Sequence, residues 1–142
     1  MDSVVQIIIF PGLGCILINA AWVSICLFKE GNEKDFIMSD YGVSGSGSSN
    51  DYLMGSSAAD HYSFGRGDGN DFIYDYDPAG AQGATDKVTF GEGISPDDLQ
   101  LSASGYDLII RLLDNGDETD DSLTLQNGLN NPQYQIEEFL FA

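Results

Sequence analysis

The stretch from Gly45 to Tyr74, GSGSSNDYLMGSSAADHYSFGRGDGNDFIY, repeats on itself, and that repetition limits the folds open to the chain. Aligned on its aspartates it holds three copies of a nine-residue unit: 46–54 around Asp51, 55–63 around Asp60 and 66–74 around Asp71. In each, small or polar residues lead to the Asp, and a large apolar residue follows two positions later (Leu53, Tyr62, Ile73). Small residues, glycine above all, let a backbone turn tightly with φ > 0 and aim carbonyl oxygens inward. The carboxylate adds a hard oxygen ligand of the kind Ca2+ takes. The last three residues of each unit make a very short strand whose single large side chain points inward. A flexible Gly/Ser linker is the competing reading. Tyr52, Leu53, Phe72 and Ile73, at repeating offsets, together with Tyr62 and Phe64, have no use in a linker.

This pattern resembles the RTX nonapeptide G-G-x-G-x-D-x-U-x, a calcium-binding repeat that stacks into a parallel β-roll. The third copy, with Gly67, Gly69 and Asp71, matches best; the first keeps Gly47 but has Ser49, and the second has Ser56 and Ala58 where glycine is expected. Asp51 and Asp60 are nine residues apart, Asp60 and Asp71 eleven, with Phe64-Gly65 inserted. In such a roll alternate units share a side, so Asp51 and Asp71 are expected to face each other with Asp60 opposite. The resemblance implies calcium ligands among Gly47, Asn50, Asp51, Asp60, Gly67, Asp68, Gly69, Asn70 and Asp71, with Asp51 and Asp71 supplying carboxylates and loop carbonyls the rest.

Further along, FGRGDGNDFIYDYDP, DKVTFGEGISPDDLQL, GYDLIIRL and YQIEEFLF are similar to the module that closes repeat arrays in large haemolysin-type calcium-binding proteins. In that family the GISPDDL segment joins the roll to a small antiparallel β unit. The expected fold is therefore mainly β, a short parallel β-roll of glycine/aspartate-rich repeats followed by a small antiparallel β unit. The boundaries expected are an apolar leader over 1–28, a linker over 29–44, RTX-like repeats over 45–77 and the antiparallel unit over 78–142. Members of the family usually leave the cell by type I secretion, which implies that apparatus as a partner and an extracellular or cell-surface place. The array is short and no effector domain accompanies it, so the chain reads as the tail of a larger toxin, bacteriocin or secreted hydrolase. A calcium-independent β connector or adhesion domain is the alternative.

Charge points the same way. The formal net charge is −18, with 23 acidic residues against five basic ones, which disfavours nucleic acid and favours a divalent cation. Self-repulsion opposes compaction, so cation binding can be coupled to folding. Acidity alone would allow disorder, but a hydrophobic content of 42% argues for packing.

Residues 3 to 28 carry no charge and are long enough to span a bilayer. They lack the basic start and A-x-A site of a secretory signal. Three readings compete: an uncleaved membrane anchor, a poor signal, or an aberrant start. Cys15 and Cys26 both lie here, leaving none to staple the acidic region. Asp35-Phe36-Ile37 has the offset of an earlier repeat, but Asp51 follows Asp35 by sixteen residues, so it is set aside.

Asp75, Asp77, Gly80 and Asp86 fall on positions 1, 3, 6 and 12 of an EF-hand loop, yet Ala79, a final Asp and the lack of flanking helices favour a plain loop leaving the roll. Ser95-Pro96-Asp97-Asp98 predicts a capped helical turn. Residues 106–113 and 122–126 predict strands around an Asp114–Asp117 turn, and 134–141 a last strand with Ile136 and Phe139 in the core. Arg66-Gly67-Asp68 is an RGD tripeptide, expected to be tied into its turn. One histidine, His61, and runs of adjacent acids make no catalytic constellation, so no enzyme is expected.

Overall fold

The computed structural model describes residues 50–80 and 83–142, together with the backbone of five strands before them. Those five are β1 (Gln6–Ile9), β2 (Cys15–Ala20), β3 (Val23–Phe28), β4 (Phe36–Met38) and β5 (Val43–Ser44). The repeats supply β6 (Tyr52–Met54), β7 (His61–Phe64) and β8 (Asn70–Tyr74). Beyond them come β9 (Lys87–Phe90), β10 (Leu99–Ser104), β11 (Asp107–Asp114), β12 (Asp117–Leu125) and β13 (Glu138–Phe141). The protein is mainly β, as the sequence predicts. Among the described residues no helix is long and apolar enough to cross a membrane.

Two sheets form, ordered β1-β2-β3-β4-β6-β8-β12-β11-β10 and β13-β9-β7-β5. From β4 to β9 successive strands alternate between the sheets, and β6 to β9 each pair parallel with the strand two before. Tyr52 lies opposite Phe72, and Tyr62 opposite Val88. The offset set aside for Phe36 and Ile37 is used: β4 pairs parallel with β6, Phe36 beside Tyr52. The stretch expected as a polar linker thus carries β4 and β5.

The C-terminal part differs from a separate antiparallel unit. β10, β11 and β12 do pair antiparallel. Then β12 returns parallel to β8, and β13 parallel to β9. Each would otherwise leave a row of unpaired backbone groups at the end of a parallel stack. The antiparallel turn at Asn115-Gly116 takes positive φ at both residues, 51° and 91°, as a two-residue hairpin requires.

Side chains alternate faces along a strand, and this places the core. In the first sheet Leu53, Ile73 and Leu125 stand side by side; in the second, Tyr62 beside Val88 and Phe64 beside Phe90. Ile136 is in the core as expected, but Phe139 is 37% exposed at the sheet edge, stacked on Phe90. The GISPDDL turn is a 3-10 turn, Pro96–Asp98, with the Ser95 amide and hydroxyl both donating to Asp98 Oδ2. Ile110 is fully buried between β10 and β12. Ile110→Val is expected to lower the urea midpoint by the equivalent of about 0.5–1.5 kcal/mol with the denaturant slope unchanged.

Candidate metal centre

The same alternation decides where the aspartates go. An Asp two positions before an inward-facing residue faces inward too. Asp51 precedes Leu53, Asp60 precedes Tyr62, Asp71 precedes Ile73, and Asp86 precedes Val88; all four aspartates are buried. Carried one step past β8, the alternation puts Asp75 inward as well, 2% exposed.

Each stack of strands is tied by these carboxylates. The Asp51 amide donates to Asp71 Oδ1 at 2.9 Å, the Asp60 amide to Asp86 Oδ1 at 2.8 Å, and the Asp86 amide to Glu137 Oε2 at 2.8 Å. One oxygen of each acceptor is spent on the turn before it. Asp51 and Asp71 therefore do sit together, with Asp60 in the other stack.

Among the described residues, though, the carboxylates that converge are Asp60, Asp75 and Asp86. One oxygen from each lies within 4.8 Å of the others, and all three residues are buried. Asp60 Oδ2 is held by the Ser56 amide and hydroxyl, and Asp75 Oδ2 by the Tyr62 hydroxyl at 2.8 Å. Asp75 Oδ1 has no hydrogen-bond partner, nor has Asp71 Oδ2. A methyl at Gly55 would overlap the Tyr62 hydroxyl and the Asp75 carboxylate, so glycine leaves the room this contact needs.

Among the described residues no cation is paired with the group. Arg66, Lys87 and Arg111 make surface ion pairs with Asp98, Glu138 and Glu118. At an effective dielectric of about 20, two carboxylates this close repel by about 3–4 kcal/mol. Three ionised together would consume a large part of a domain's whole stability. The protein must therefore hold protons there or bind a cation. Burial, and after it the charges of Asp86 and Asp60, push the Asp75 carboxyl up to about 8 against the pull of its bond from Tyr62. Burial also raises Asp86 to about 6 and Asp71 to about 7. Burial and Asp75 push the Tyr62 phenol far up, so it stays a donor. The cluster can hold a metal ion.

The other residues named from the sequence have different work. Asn50 Oδ1 accepts the Asn70 amide, and Asn70 Oδ1 accepts the Ser122 hydroxyl. Gly67 and Gly69, at φ 86° and 89°, turn their amides onto Asp121 at 2.9 and 3.0 Å. Asp68 accepts the Gly65 amide at 2.7 Å. Gly47 lies outside the described residues. The RGD tripeptide is tied into its turn as expected, the Asp68 amide donating to the Gly65 carbonyl, while the Arg66 side chain donates to the Leu113 carbonyl. His61 is exposed, 2.6 Å from the Thr89 hydroxyl.

Asp75 and Asp86 belong to the EF-hand-like pattern that the sequence reading sets aside, and no motif marks Glu137. Asp86-Lys87-Val88 does carry the D-x-U signature, but it follows Asp60 by twenty-six residues, the two-unit period of eighteen plus an eight-residue insertion. Asp77 anchors that insertion, accepting the Ala79 and Ala84 amides. Comparison with protein-family models and with curated proteins gave no match to this chain.

Proposed function

We propose that this chain is a calcium-binding module of the RTX type, whose alternating parallel strands form a short β-roll that closes fully only on the ion. One observation carries the reading: three buried carboxylates converge with no cation of the described residues among them, and Asp75 Oδ1 lacks a hydrogen-bond partner. The donors are all hard oxygens, and their separations fit within a calcium shell, whose ligands stand 2.3–2.6 Å from the ion. Mg2+ demands a tighter octahedron and keeps several waters, which a buried group cannot easily house. Asp51 and Asp71, with the unpartnered Asp71 Oδ2, make a second and smaller candidate. The setting that follows is a secreted or surface bacterial protein, loose where calcium is scarce and folded outside the cell. Its work is binding and structure, not catalysis, with type I export as the route.

Isothermal titration of the full chain tests it. Ca2+ is expected to bind saturably and more tightly than Mg2+, and Asp86→Ala to weaken binding at least tenfold. No saturable Ca2+ binding would sink the reading. The alternative, a metal-free β connector, is favoured by the carboxylate-to-amide ladder, which ties the stacks without an ion. It predicts no difference between Ca2+ and chelator.

A further inference from the structure

Of the residues two places after Asp51, Asp60, Asp71 and Asp86, Leu53, Ile73 and Val88 are aliphatic and only Tyr62 carries a polar atom. A fully buried phenol in the hydrophobic core needs a reason, since its hydroxyl must find a partner. It finds Asp75 Oδ2 at 2.8 Å. Asp75 lies just past the end of β8, where no strand pairing fixes its side chain. Gly55, the first residue of the same repeat as Tyr62, clears the space in which they meet. With Oδ2 taken, Oδ1 is the oxygen left to an ion, and it has no other partner.

We propose that Tyr62 is a positioning residue of the metal centre, its hydroxyl holding Asp75 as a one-oxygen ligand for a Ca2+-like cation. The proposal rests on the metal reading above. Groups that hydrogen-bond to ligands in this way typically change metal affinity 10–100-fold when removed. It also places one aromatic ring against a ligand of the ion, close enough to sensitise a luminescent ion bound there, while the change in affinity on losing the hydroxyl separates positioning from packing.

Terbium, a luminescent stand-in for Ca2+, tests this on the full chain. Bound Tb3+ is expected to show a tyrosine band in its excitation spectrum. Tyr62→Phe should lose most of that band and bind both Tb3+ and Ca2+ roughly 10–100-fold more weakly, with Tb3+ then followed by direct excitation. Unchanged affinity in Tyr62→Phe, even with a lowered urea midpoint, would make Tyr62 a packing residue and overturn the proposal. So would a wild-type protein that binds Tb3+ without a tyrosine band, a result that stands even if the variant does not fold. If the wild type binds neither ion, the metal reading itself falls.

Discussion

Removing divalent cations at pH 8 is expected to cost the fold about 3 kcal/mol, and Asp75→Asn to abolish that dependence. A ligand present at about 100 times its dissociation constant stabilises the folded state by ~2.7 kcal/mol. Here the loss of the ion also exposes Asp60, Asp75 and Asp86 to one another in a buried space. Asn keeps the shape of Asp75 and its contact with Tyr62 but removes one of the three charges. In chelator, Asp75→Asn should therefore unfold at higher urea than the wild type; in saturating Ca2+ it should unfold at lower urea. That crossing is the decisive feature, because a metal-free connector would show one fixed difference under both conditions. Urea is the denaturant to use, since guanidinium would screen the charges at issue.

The sequence made the repeats legible because D-x-U has a period-two logic that survives without any tertiary knowledge. Asp51, Asp60 and Asp71 are inward-facing for the same reason Leu53, Tyr62 and Ile73 are. The grouping of the carboxylates was harder to see. Asp86 belongs beside Asp60 only once the insertion held by Asp77 is looped out, and nothing local marks its length. Asp75 looked like a loop residue because it follows the strand, yet the alternation of β8 still governs it. The return of β12 to β8 and β13 to β9 was out of reach for a different reason: pairings some fifty residues apart are set by which strand edge remains open. Phe139 shows the same limit, since its apolar character put it in the core while its place on the last strand leaves it partly exposed.

The metal-free protein is also expected to become more stable as pH falls from about 8 to about 5, the reverse of a domain whose carboxylates are ion-paired. Asp75 is raised from 3.8 to about 8 in the folded state, and Asp71 to about 7, both chiefly by burial. Between those limits the folded chain holds protons that the unfolded chain has released. Stability then falls as pH rises, because its pH slope follows protons bound unfolded minus protons bound folded. The contribution is complete below 3.8 and lost as pH passes through about 7 and then about 8. One proton difference is worth ~1.4 kcal/mol per pH unit, so a gain on the order of 2–3 kcal/mol between pH 8 and 6 is expected in chelator. Saturating Ca2+ should flatten or invert the slope, since the ion takes the place of the protons and is displaced by them in acid. Urea midpoints at each pH, with Ca2+ and with chelator, measure both curves. A chelated protein that gains stability as pH rises through 6 to 8 would mean that these carboxylates are already satisfied without a cation, and the metal centre would lose its physical basis.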